Sequence, residues 1–141
     1  MLEKYKINVE NKKVVILGKS LLVGLPAKKL FEEKKGNVII FDKYDKDIKK
    51  HIKEADILVS CTGNPINLRE KDIKSGLILF DVGIICSDNN KNIRGDIDNS
   101  QIINKLGMYT PVPGGLGPLT VANMINNLYQ TYLHQEKIRD F

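Results

Sequence analysis

"VVILGKSLLVGLPAKKL" (residues 14–30) decides the fold. Four consecutive apolar residues, Val14–Leu17, read as a strand covered on both faces. Gly18 permits a sharp turn, Gly24 a close backbone passage, and Pro26 suits the first turn of a helix. A strand, a glycine turn and a helix in this order leave backbone amides pointing at a helix start, where a phosphate is well held. Lys19 and Ser20 add a cation and a hydroxyl for the same oxygens. The glycines are six residues apart, not in the G-x-G-x-x-G spacing of the usual dinucleotide turn, so the loop by itself leaves its ligand open.

The same rhythm continues outward. "NVIIF" (37–41), "DILVSC" (56–61) and "LILFDV" (77–82) are further short apolar runs, rich in Val and Ile. "PAKKLFEEKK" and "DKDIKKHIKEA" between them have helical character, and "NPINLREKDIKSG" reads as a loop with one helical turn. Alternating strands and helices give an α/β, Rossmann-like, mostly parallel sheet with helices on both faces. Residues 1–141 form one domain, with no internal repeat or linker, long enough to bury a core.

Three later features depart from the alternation. "SDNNKNIRGD" (87–96) reads as a hairpin or exposed arm, and "TPVPGGLGPLT" (110–120) as a rigid loop. A final helix is expected from about Pro118 to His134. Its apolar positions Val121, Ala122, Met124, Ile125, Leu128, Tyr129, Tyr132 and Leu133 form a stripe wider than one sheet face requires. Either the helix is buried in the core, or part of its face expects something absent from the chain.

Composition narrows the classes. Hydrophobic residues at 42% and charged residues at 28% are an ordinary globular balance, and no run approaches the roughly 20 apolar residues of a membrane helix. The net charge of +5 favours anionic partners, but the lysines are interleaved with acids and no Arg-rich arm or aromatic-basic motif points to nucleic acid. Cys61 and Cys86 lack metal-ligand spacing, and the charged start lacks a signal-peptide core; a cytoplasmic protein without a metal is expected.

Catalytic groups are scarce. His51 and His134 fall in helical segments expected to be exposed, and Cys61 at a strand end is expected to be a small buried side chain. Asp42 ends the second strand roughly 20 residues after the loop, where a carboxylate commonly accepts a hydrogen bond from an adenosine ribose. It could equally be a turn aspartate. Lys43 beside it could meet a 2′-phosphate, so NAD and NADP both stay open.

"GKSLLVGLP" resembles the G-R-S-x-x-V-G-x-P loop of bifunctional methylenetetrahydrofolate dehydrogenase/cyclohydrolase. "ADILVSCTGNP" is similar to that family's A-D-I-x-x-x-A-x-G-x-P, "IKSGLILFDVGI" to its I-K-x-G-x-x-x-I-D-V-G-I, and "RGDID" to its G-D-V-x-F. "TPVPGGLGPLT" is nearly its T-P-V-P-G-G-V-G-P-M-T. Five motifs in order, across about residues 1–133, identify the chain as resembling the family's C-terminal NAD(P)-binding half.

The resemblance implies a cofactor site made of Gly18, Lys19, Ser20, Val23, Asp42, Lys43, Tyr44, Gly63 and Ile84, with Ile84 at the nicotinamide end. Pro113, Gly114 and Gly115 would border both cofactor and folate. "FDKYDK" replaces the family's C-H-S-R-T, and Asp45 stands where a basic Arg can favour NADP. The family's other half carries a Tyr-x-x-x-Lys motif with the catalytic lysine. None of the five tyrosines here is followed four residues later by lysine. The expectation is therefore half an enzyme. It would hold NAD or NADP, carry no catalytic residue of its own, and act on tetrahydrofolate substrates only with an amino-terminal catalytic half. Its cofactor domains would pair as homodimers. The alternative is a stand-alone dinucleotide-binding protein without catalysis.

Overall fold

A computed structural model describes residues 1–42, 45, 47–86 and 93–139, with side chains described as far as Glu136. Lys43 and Tyr44, two of the expected site residues, lie outside the described residues. Five strands form one sheet: β1 (Lys13–Leu17), β2 (Asn37–Phe41), β3 (Ile57–Ser60), β4 (Leu77–Asp81) and β7 (Leu106–Tyr109). Their order is β2-β1-β3-β4-β7 and every pairing is parallel. Between β4 and β7, two short strands, β5 (Ile85–Cys86) and β6 (Ile93–Arg94), pair antiparallel; residues 87–92, most of the stretch expected to be a hairpin or exposed arm, lie outside the described residues.

The period-two alternation of strand side chains sorts the apolar runs onto two faces. Val15, Leu17, Leu58 and Leu79 meet Ile52 of helix α2 (Ile48–Glu54), together with Leu68, Ile73, Ile97 and Ile102. Val14, Ile16, Ile57, Val59 and Phe80 meet Phe31 of helix α1 (Gly24–Glu33) and Val9 of the amino-terminal segment. Both faces of the central strands are therefore dry, which is why these runs are continuously apolar in the sequence.

Strand β7 is not evident from the sequence. "LGMY" is four residues long, carries a glycine and lies at the sheet edge with Met108 and Tyr109 exposed, so it lacks the apolar signature of its neighbours. Gly107 is there because a Cβ would press on the Gly76 carbonyl oxygen, at 2.8 Å.

The last helix, α3 (Leu116–Arg139), decides between the two alternatives for its apolar stripe. It is not a core helix. Leu116 at its base packs beneath the sheet, but residues 117–135 are all exposed, with Met124 at 67% and Leu128 at 72%. Thr120, Asn123 and Thr131 donate back to backbone carbonyls four residues earlier in the same helix. Its wide apolar stripe faces outward.

Candidate dinucleotide site

Because all five strands run the same way, the segments following them open on one edge of the sheet. Gly18 follows β1, Asp42 follows β2, Gly63 follows β3, Ile84 follows β4 and Pro113–Gly115 follow β7. The strand order reverses between β1 and β3, the point at which an open α/β sheet leaves a crevice beyond its carboxyl ends. A cavity of about 200 Å³ lies there, lined among others by Gly18, Asp42, Thr62, Asn64 and Pro65.

The loop after β1 is built tightly. Gly18 has φ +110°, and a Cβ on it would lie 2.6 Å from the Cys61 carbonyl oxygen. Its amide donates to Phe41 O at 2.8 Å, which ties the loop to the end of β2. A Cβ on Gly24 would overlap the Gly18 carbonyl oxygen, so the helix start folds directly onto the turn. Ser20 Oγ accepts from the amides of Val23 and Gly24, both at 3.2 Å. That fills much of its acceptor capacity and leaves its proton to donate outward. Pro26 falls in the first turn of α1, where a missing N–H costs no intrahelical bond. Leu21 and Leu22 of this loop are exposed.

Lys19 does not stand alone. Its Nζ lies 2.9 Å from Asp45 Oδ2, and the same oxygen accepts the Asp42 amide at 2.6 Å. The Asp42 amide and then Lys19 hold the Asp45 carboxyl below the usual carboxylate range. Asp42 is exposed at the rim of the crevice.

A buried polar cluster supports the loops from below, and the sequence does not signal it. Asp96 is 1% exposed, and its Oδ2 accepts from Ser60 Oγ and Thr62 N, both at 2.7 Å, and from Thr62 Oγ1 at 2.9 Å. Asp81 in turn accepts the amides of Asp96 and Ile97 at 3.1 and 3.0 Å. Burial pushes the Asp81 carboxyl up, against the lowering pull of those amides, and the nearby Asp96 charge adds to the rise. The Asp81 amide donates to Thr110 Oγ1 at 2.9 Å, which anchors the start of the Pro113–Gly115 loop. The sequence cues are slight: Ser60 and Asp81 close apolar runs, Asp96 lies inside "RGDID" and Thr110 opens "TPVPGGLGPLT".

Gly63 (φ +66°) and Gly114 (φ +97°) both face open space, while Ile84 stands 58% exposed beyond β4. Cys61 is half-buried and donates to Leu17 O at 3.1 Å; burial first, and the Asp96 charge second, push its thiol up to about 11. A thiol raised in this way is not activated as a thiolate near neutral pH. His51 is less exposed than expected, its ring 5.0 Å from that of Phe41 and its Nδ1 buried without a partner among the described residues. His134 is exposed on α3. Among the described residues, no group of three His, Cys, Asp or Glu is placed to hold a metal. No described helix is long and apolar enough to cross a membrane.

A parallel sheet with a glycine turn at its switch point and a carboxylate at the end of the second strand defines a Rossmann-like dinucleotide-binding domain. Similarity to known proteins narrows the class. The model of the tetrahydrofolate dehydrogenase/cyclohydrolase NAD(P)-binding domain matches residues 1–136, and the chain belongs to that family. It is 39% identical over 127 residues to the bifunctional protein FolD of Staphylococcus saprophyticus, covering 90% of this chain and 44% of that protein. It is 41% identical over 132 residues to the bifunctional protein FolD of Aquifex aeolicus, covering 94% and 45%.

Among solved structures, the bifunctional FolD dehydrogenase/cyclohydrolase of Campylobacter jejuni superposes with a TM-score of 0.88 at 32% identity, over 95% of this chain and 47% of that one. The Trypanosoma brucei enzyme, solved with NADP cofactor and an inhibitor, gives 0.86 at 28% identity over 95% and 48%. The chain thus spans about half the length of the relatives it matches.

Proposed function

We propose that this domain supplies the dinucleotide half of a methylenetetrahydrofolate dehydrogenase/cyclohydrolase. The observation that carries the reading is the Gly18 turn packed against Gly24 and the end of β3, at the switch point of a parallel sheet. The amides after Gly18 and the Ser20 hydroxyl face the pyrophosphate, with Val23 closing the turn onto α1. Asp42, with Lys43 and Tyr44, meets the adenosine ribose, and Gly63 gives the cofactor room beyond β3. Ile84 contacts the nicotinamide, and Pro113, Gly114 and Gly115 border cofactor and folate together. The bound nicotinamide would supply the hydride acceptor for 5,10-methylenetetrahydrofolate.

The chain's own residues orient and desolvate; among the described residues, none is placed as a proton donor or acceptor for the substrate. Cys61 is held as a neutral thiol, and the buried carboxylates are spent on backbone amides and hydroxyls. Proton transfer and most of the pterin pocket fall to an amino-terminal catalytic half. The outward apolar stripe of α3 is the surface offered to that half, or to a second copy of this chain in a homodimer.

The chain contains no Trp, so NADH fluorescence reports binding without an intrinsic donor of that kind. Saturable NADH or NADPH binding is expected, together with negligible reduction of either oxidised cofactor by 5,10-methylenetetrahydrofolate. Adding a relative's separately expressed amino-terminal half is expected to restore turnover. Robust turnover by this chain alone would overturn the half-enzyme reading. Absence of any dinucleotide binding would overturn the site.

A further inference from the structure

The turn after β2 carries a further assignment, which rests on the dinucleotide-binding reading above. In Rossmann-like sites, a carboxylate at the end of the second strand takes the 2′-hydroxyl of the adenosine ribose, while a nearby cation accommodates a 2′-phosphate. Here the cation of the β1 loop, Lys19, is already engaged. Asp45 Oδ2 holds its ammonium at 2.9 Å and the Asp42 amide at 2.6 Å, closing the turn over the loop. The Asp45 amide returns to Asp42 O at 3.0 Å, so the carboxylate is fixed by its own backbone as well as by the lysine.

Among the described residues of this rim, Asp42, Asp45 and Lys19 together carry one net negative charge. A ribose hydroxyl entering this rim finds an acceptor. A 2′-phosphate must either pull Lys19 away from Asp45 or rest against two carboxylates. Lys43 and Lys46, neighbours in the sequence that lie outside the described residues, are the competing source of phosphate affinity.

We infer that Asp45 is a specificity-determining residue: by occupying Lys19 and adding a second carboxylate to the rim, it selects the free 2′-hydroxyl of NAD against the 2′-phosphate of NADP.

NADH and NADPH are titrated at one ionic strength into the wild-type protein and the Asp45→Asn, Lys19→Met and Asp45→Asn/Lys19→Met variants. The wild type is expected to bind NADH about tenfold more tightly than NADPH, the scale of one close exposed charge contact. Asp45→Asn should narrow that ratio at least about fivefold by strengthening NADPH, with NADH little changed; the unchanged NADH affinity guards against misfolding. Lys19→Met alone, which leaves Asp45 without its cation, should hold or widen the ratio, and in the double variant it should cancel the gain. NADPH bound as tightly as NADH by the wild type would overturn the assignment, as would a ratio indifferent to Asp45→Asn. A protein that binds neither cofactor would instead overturn the dinucleotide reading.

Discussion

Asp96 and Thr62 are 34 positions apart in sequence, yet the Asp96 carboxylate receives both the backbone amide of Thr62, at 2.7 Å, and its hydroxyl, at 2.9 Å. One buried oxygen therefore fixes the turn between β3 and Gly63 in place. Ser60 Oγ reaches the same oxygen, and the Asp96 carbonyl accepts the amide of Ile66 at 2.7 Å. Asp96→Ala would leave an amide and hydroxyls buried without their acceptor. A loss of about 3–4 kcal/mol is expected in urea unfolding, with Asp96→Asn, which keeps one acceptor, costing about 1–2 kcal/mol. An alanine variant within 1 kcal/mol of the wild type, on the scale of a typical single hydrogen bond, would remove Asp96 from this role.

Asp81 gives a pH dependence whose direction follows from burial. Its folded-state carboxyl is raised above the ordinary 3.8, chiefly by desolvation. Such a group contributes stability that is fully present below 3.8 and is lost as pH rises through the folded value. Asp56 acts in a separate window. Burial raises its carboxyl, but the Lys74 side chain and the Lys13 amide outweigh that and hold it below 3.8, so its contribution is lost only in more acid solution. Urea unfolding of wild type and Asp81→Asn at pH 4, 5, 6 and 7 separates the two. The stability advantage of the wild type should shrink as pH rises. An advantage that grows with pH would show that the Asp96 and Ile97 amides outweigh burial.

Two glycines in helices should respond oppositely to alanine. On propensity alone, Gly→Ala in a helix gains about 1 kcal/mol. Gly117 in α3 has nothing within 4 Å of its would-be Cβ, so Gly117→Ala should stabilise by about 0.5–1 kcal/mol. Gly24 opens α1 against the Gly18 carbonyl oxygen, backbone on backbone. Gly24→Ala should therefore destabilise by about 2–3 kcal/mol and weaken dinucleotide binding by prising the loop open. Paired thermal melts and NADH titrations check both. A Gly24→Ala protein as stable as the wild type would mean that the turn yields easily.

The four apolar strands and the two sheet-packed helices were legible because burial on both faces leaves runs of Val, Ile and Leu that no loop would carry. Strand β7 was not, since an edge strand with exposed Met108 and Tyr109 needs no such run. Gly18 could be read as a turn residue, but its dependence on Cys61 O required knowing that β1 and β3 are neighbours. The Lys19–Asp45 pair and the Asp81–Asp96 cluster were invisible for the same reason. Each joins polar residues from different strand ends, and only the sheet order brings them together.

Helix α3 leads to the last prediction. A lone helix whose apolar residues face water is marginal in isolation, and soluble monomers seldom leave a large apolar patch bare. Val121, Met124, Ile125, Leu128, Tyr129 and Tyr132 are each more than half exposed along it. Thr120, Asn123 and Thr131 bond back to the helix's own carbonyls rather than to the sheet. The protein on its own should therefore self-associate through this face, and sedimentation velocity should show a concentration-dependent rise above the monomer. Leu128→Lys together with Tyr132→Ser should shift the population toward monomer and leave the NADH affinity within about twofold, because both residues lie about three turns or more along α3 from the Pro113–Gly115 loop. A wild type that stays monomeric at high concentration would show that the stripe is not a self-association surface. If both forms associate equally, the contact lies elsewhere, with the β5–β6 hairpin as the next surface to vary.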